Sequence, residues 1–169
     1  MNYFIDDNEI ATAIYKSDGT SKGLKRVIAN IDRSIYYVVN FSVTDNGQVF
    51  YVLGRRGTDY LYELWHSDGT DKGTVMISPN IYYNDYVVTI GNTGLFAAGD
   101  ADHGYELWKS DGTLAGTTMV KDINPGWNGS SPYSLFVFKR TVYFGAYDGN
   151  GYYNSFWKTD GTEKGTVKL

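Results

Sequence analysis

The segment ELWKSDGTLAGTTMV, Glu106–Val120, decides the fold, because close copies of it stand at three other places in a chain of 169 residues. ELWHSDGTDKGTVMI begins at Glu63, SFWKTDGTEKGTVKL runs from Ser155 to Leu169, and the most divergent copy, AIYKSDGTSKGLKRV, begins at Ala13. The aspartates of the four DGT triplets, Asp18, Asp68, Asp111 and Asp160, are separated by 50, 43 and 49 residues. Periods of that length belong to propellers, solenoids or arrays. The recurrent text is aromatic and broken by Gly every few residues, without the three-and-four spacing of stacked helices, so strands are expected.

Each period accommodates four strands. SLFVFK (Ser134–Lys139) and TVYFGA (Thr141–Ala146) read as a hairpin, and the same place in other periods carries Asp45-Asn46-Gly47 and Gly91-Asn92-Thr93-Gly94 between β-rich runs. Asn-Gly between such runs is a strong hairpin signal because the turn needs positive φ. The repeated text supplies the other two strands, joined by the DGT loop. There Asp18, Asp68, Asp111 and Asp160 accept local N–H groups. Gly19, Gly69, Gly112 and Gly161 supply a left-handed conformation, and Thr20, Thr70, Thr113 and Thr162 close a second bond. The later glycines, Gly23, Gly73, Gly116 and Gly165, are expected to need positive φ or a bulge.

Three residues before each Asp stand Tyr15, Trp65, Trp108 and Trp157. One large ring at a fixed point of every unit suits packing between sheets, worth about 4 to 6 kcal/mol of gross burial each. The expected fold is all-β: a single domain over residues 1–169, built of β-propeller blades with four antiparallel strands. The units are 1–31, 32–80, 81–124 and 125–169. The first lacks its first strand, since MNYFIDD aligns with TVYFGAY. Leu24, Val27, Ile28, Ile31 and Ile35 fall at helical spacing, which leaves a short helix open as the alternative for the first linker. Against it, Asp18–Phe50 and Asp111–Tyr143 are equally long, 32 residues. An incomplete first unit suggests a piece of a longer array, with a four-bladed ring or a self-associated dimer as alternatives.

Composition narrows the function classes. The formal charge of −4, with 19 acidic and 15 basic residues, offers no footprint for nucleic acid. Without cysteine there is no disulfide, thiolate metal site or Cys nucleophile. No run of apolar residues is long enough to span a membrane, and the N-terminus lacks the pattern of a signal peptide. His66 and His103 lie in different units without an i, i+4 partner, and both are expected at the surface. No nucleophile elbow or phosphate loop occurs, and Arg26, Arg33, Arg55, Arg56 and Arg140 do not assemble into an evident cluster. No catalytic or metal residues are assigned. The Asp- and Gly-rich loops Gly99–Gly104 and Tyr147–Gly151 could offer oxygen ligands to Ca²⁺. They lack the ordered acid spacing of an EF-hand loop, so turn formation is the preferred reading.

The stretch AGDADHGYELWKSDGTLAGTTMVKDINPGWNGSSP, Ala98–Pro132, resembles the ELWxxDGT repeat family of large bacterial proteins. It carries the acidic-Gly loop, ELWKSDGT, VKDINPG and GSSP. The other copies keep DGT and its second Gly, while the linkers after Asp18 and Asp68 lack DINPG and GSSP. The resemblance implies propeller blades, bacterial origin and an extracellular or cell-surface location, and it implies no reaction. Tyr36-Tyr37, Tyr82-Tyr83 and Tyr152-Tyr153, with Trp127 and Asn128 in the DINPGWNGSS loop, are candidates for contact with a carbohydrate or protein ligand; Tyr82, Tyr83, Trp127 and Asn128 are singled out. The expected function is a non-enzymatic binding or adhesion scaffold. Part of a carbohydrate-active hydrolase or lyase, or an architectural spacer, are the alternatives.

Overall fold

The structure is a computed structural model that describes residues 2–7, 11–17, 19–20, 22–23, 25–32, 34–57, 62–78, 81, 87–150 and 155–169. Among these residues there is no helix, and hence none long and apolar enough to cross a membrane. Fifteen strands among the described residues form four separate antiparallel sheets, each built of strands consecutive in the chain. Sheet 1 contains β1 (Asn2–Asp7), β2 (Ala11–Ser17) and β3 (Lys25–Asp32). Sheet 2 contains β4 (Tyr36–Val43), β5 (Val49–Arg55), β6 (Tyr62–Ser67) and β7 (Thr74–Ser78). Sheet 3 contains β8 (Val88–Ile90), β9 (Thr93–Asp100), β10 (Gly104–Ser110) and β11 (Thr118–Lys121). Sheet 4 contains β12 (Tyr133–Phe138), β13 (Thr141–Ala146), β14 (Ser155–Thr159) and β15 (Val167–Lys168).

The middle strands are apolar on both faces, unlike the alternating strands of a sheet with one wet side. In β5, Val49 through Leu53 are all buried, so each face must have a neighbour. Three apolar clusters provide them. Tyr51, Val49 and Leu53 meet Ile14, Val27 and Ile28 of sheet 1. Phe50, Val52 and Leu64 meet Phe96 and Ala98 of sheet 3. Leu95 and Leu107 of sheet 3 meet Val142, Phe144 and Trp157 of sheet 4. The sheets therefore stack in chain order, each pair sealed by one cluster. Phe50 approaches so closely that a Cβ on Gly94 would lie 3.1 Å from its ring.

The helical spacing in the first linker has a different cause. Val27, Ile28 and Ile31 lie on strand β3, whose pairing with β2 shifts register on both sides of Ile14. Such irregularities turn adjacent residues toward the same face, and all three are buried in the cluster with sheet 2. A bulged strand has imitated a helix pattern.

The first hairpins of sheets 2, 3 and 4 gather at one end. The Asp45 N–H donates to Gly91 O (2.9 Å) and the Asn46 N–H to Asn92 Oδ1 (3.0 Å). Arg140 Nη1 reaches from sheet 4 to Asp45 Oδ2 of sheet 2 at 2.9 Å. The β12–β13 turn is formed by Lys139 and Arg140 themselves, both left-handed at φ 48° and 60°. No Gly or Asn stands there to mark the turn, and the strand expected to run through Lys139 ends at Phe138.

Candidate functional site

Three DGT loops are fully described and repeat one hydrogen-bond pattern. In the second, the Thr70 N–H and hydroxyl both donate to Asp68 Oδ1, at 2.8 and 2.7 Å. Thr70 Oγ1 in turn accepts the Gly73 N–H at 3.0 Å, and the Thr74 hydroxyl donates to Thr70 O at 2.7 Å. Asp111 with Thr113, and Asp160 with Thr162, do the same within 0.1 Å. These bonds, the Thr hydroxyl's first, hold the three carboxyls below their ordinary value. In the first loop Gly19 and Thr20 are described and the Gly23 N–H donates to Thr20 Oγ1; Asp18 lies outside the described residues.

Gly19, Gly69, Gly112 and Gly161 have φ between 87° and 95°. The later glycine departs from the expectation of positive φ. A Cβ on Gly73, Gly116 or Gly165 would fall 2.0–2.1 Å from the Asp carboxylate folded over it, so close approach explains that glycine. In each of these loops Oδ1 of the aspartate accepts two bonds from the Thr two residues on, which shapes the turn.

At the opposite ends of the strands, the linker between sheets 3 and 4 is organised by a carboxylate. Glu106 is fully buried; its Oε1 accepts the Asn124 N–H at 2.9 Å and its Oε2 the Ser130 hydroxyl at 2.5 Å. Burial pushes its pKa up, opposed by those same bonds. Asn124 Nδ2 donates to Gly129 O, and the Ser130 and Ser131 N–H groups both donate to Tyr105 O at 2.9 Å. Gly104 and Gly129 let the two backbones touch, since a Cβ on Gly104 would sit 2.3 Å from Trp127 O. The product is a loop tied back to Tyr105 and Glu106, with Trp127 78% exposed and Asn128 exposed beside it. In the sequence Glu106 is marked only by its place at the head of ELW, in the one copy that is followed by DINPG and GSS.

The fixed-position rings face the preceding sheet. Trp157 is buried against Leu95 and Leu107, Trp108 packs on the Phe50 cluster and Trp65 on the Tyr51 cluster. Tyr15 is half-buried on sheet 1. The Trp65 Nε1–H donates to Glu63 Oε2 at 2.9 Å, whereas Trp108 Nε1 and Trp157 Nε1 are buried without a partner among the described residues. Tyr36 donates to Glu63 and Tyr37 covers Gly54, while Tyr82, Tyr83, Tyr152 and Tyr153 lie outside the described residues.

His66 corrects another expectation. It is buried, with its ring against Phe50 and over Gly112 of the next sheet, and burial lowers its pKa. His103 bonds Asp100 through Nδ1 at 3.0 Å. The Asp100 carboxylate also accepts the Asp102 and His103 N–H groups, and Asp148 accepts Asn150 N–H and Lys168 Nζ. Among the described residues no three His, Asp or Glu side chains converge as metal ligands would. A cleft of ≈ 470 Å³ lies between sheets 1 and 2, lined among others by Arg26, Tyr51, Trp65 and Thr70.

These features define a repetitive all-β protein of serially stacked antiparallel sheets. No protein-family model and no curated protein matches the chain. A solved structure titled as a structural and mechanistic analysis of two prolyl endopeptidases is similar in fold, with a TM-score of 0.60 at 11% identity. The match covers 99% of this chain and 26% of that one, so the chain spans about a quarter of the length of that structure.

Proposed function

We propose that the four sheets are blades of a β-propeller of the ELWxxDGT repeat kind, in a bacterial secreted or cell-surface protein. The segment is a non-enzymatic scaffold that takes a carbohydrate or protein ligand on Trp127 and Asn128. The propeller reading is supported by contacts between successive first strands, β4 with β8 and β8 with β12, and by the gathering of hairpin tips from three sheets. The likeness to the prolyl endopeptidase structure supports the fold alone.

One observation carries the binding reading: an indole 78% exposed on a loop whose backbone is fixed from beneath by a buried carboxylate. A fixed aromatic surface presents contact area with little ordering cost on binding. Glycan and peptide arrays followed by titration calorimetry test it. Trp127→Ala is expected to weaken binding at least tenfold while the urea midpoint stays put. Binding that survives Trp127→Ala unchanged overturns the reading, and release of product from a sugar polymer favours the hydrolase or lyase alternative.

A further inference from the structure

Among the described residues, the outer face of sheet 4 differs from the equivalent faces of sheets 2 and 3. Phe136, Tyr143 and Phe156, one from each of three neighbouring strands, lie side by side with centroids 5.4–6.5 Å apart and planes within 24° of parallel. Phe136 and Phe156 are each 49% exposed and Phe138 56%. Cross-strand pairing identifies these positions with their counterparts. Tyr51, Phe96 and Phe144 all pair with the fixed-position Trp. Tyr143 is therefore the equivalent of Phe50 and Leu95, and Phe156 that of Leu64 and Leu107. All four counterparts are fully buried, in each case beneath the next sheet. Lys158 matches Lys109, whose Nζ crosses to Gly161 O of the following DGT loop at 3.1 Å.

We propose that this face receives sheet 1 of a second copy of the chain, joining copies head to tail. The occupant follows from continuity with the existing junctions. At both, the face in question meets the side of a sheet that carries the fixed-position ring, Trp108 or Trp157. In sheet 1 that position is Tyr15, and the DGT loop that Lys158 would reach is that of Gly19 and Thr20. A flat row of apolar rings with a lysine at its margin reproduces the floor of a junction between sheets, and exposed apolar patches of this kind mark association sites. The proposal is independent of any ligand at Trp127.

Light scattering over a range of concentrations gives the mass, with Phe136→Lys/Phe156→Lys as the test variant. The wild type is expected to reach the mass of two chains or more, and the variant to raise the dissociation constant at least tenfold, with an unchanged thermal melt at concentrations where both are single chains. Because the chain has no cysteine, geometry is read separately. Lys158→Cys copies mixed with Thr20→Cys copies, treated with a short bismaleimide, should give the mixed covalent pair in excess over either like pair. A single-chain mass at every concentration overturns the proposal, whether the face is covered by another protein or by ring closure. Predominant Lys158→Cys like pairs would mean that the face meets itself, and overturn the head-to-tail arrangement.

Discussion

Glu63 and Glu106 open the same ELW triplet on the third strands of neighbouring sheets, yet their carboxylates serve different partners. Glu106 turns into the interior and holds Asn124 and Ser130 of the linker that follows. Glu63 remains half-buried and accepts from Trp65 and Tyr36 of its own sheet. The cause lies about twenty residues downstream. After β11 the chain reads DINPGWNGSS, whose N–H and hydroxyl groups reach back to a buried acceptor, and after β7 it reads PNIYYNDYV, which has no such text. The indoles register the exchange, because Trp65 has the acceptor that Trp108 lacks. A repeated residue thus acquires its task from the segment it has to hold.

Truncating each acid should break this comparison most sharply. Glu106→Ala leaves the Asn124 N–H and the Ser130 hydroxyl without their acceptor and is expected to cost about 3 to 5 kcal/mol, against about 1 for Glu63→Ala. Urea unfolding of the two variants checks the ratio, and equal losses would dissolve the distinction. Next comes the part the sheets share: Gly73→Ala and Gly116→Ala should each cost roughly 2 kcal/mol, because the Asp held by Thr must move for the added Cβ, now 2.1 Å away. Unequal losses there would show that the DGT loops are not equivalent.

Smaller effects sharpen the contrast. Trp65→Phe should lose about 1 kcal/mol beyond its area term for the bond to Glu63, whereas Trp108→Phe should lose the area term alone, since its N–H has no partner among the described residues. Replacing Lys139-Arg140 by Asn-Gly should add roughly 0.5 to 1 kcal/mol by relieving two left-handed residues, provided the exposed Arg140–Asp45 pair contributes little.

The pH dependence divides along the same line. Asp68, Asp111 and Asp160 have folded values below their ordinary 3.8, so their contribution is complete above that pH and is lost as pH falls through the folded values. Glu106 has the opposite sign. Its folded value is raised above 4.5, so its favourable proton linkage is full below 4.5 and is lost as pH rises through the folded value. Urea midpoints between pH 2.5 and 7 should fall at the acid end in both wild type and Glu106→Gln. The decline above pH 4.5 should flatten in the variant.

The strands and their grouping into sheets were legible because they rest on local chemistry. Asn46-Gly47 and the DGT triplets announce their own turns, and the span from Asp18 to Phe50 matched that from Asp111 to Tyr143. What stayed hidden depends on groups distant in sequence. His66 is buried because Gly112, 46 residues on, leaves room for its ring. Val27 and Ile28 left a short helix open as the alternative for the same reason: a bulge is set by the partner strand. Glu106 was the costliest omission, since the loop that presents Trp127 rests on it.

Amide hydrogen exchange at Asn124, Gly129 and Ser130 tests most directly whether a buried acid fixes that loop. All three N–H groups are bonded, and Glu106 anchors the segment at Asn124 and at the Ser130 hydroxyl. The account predicts slow exchange in the wild type and an acceleration of at least tenfold in Glu106→Ala, read where the rest of sheet 3 keeps its protection. Fast exchange in the wild type, or slow exchange that survives the substitution, would contradict it.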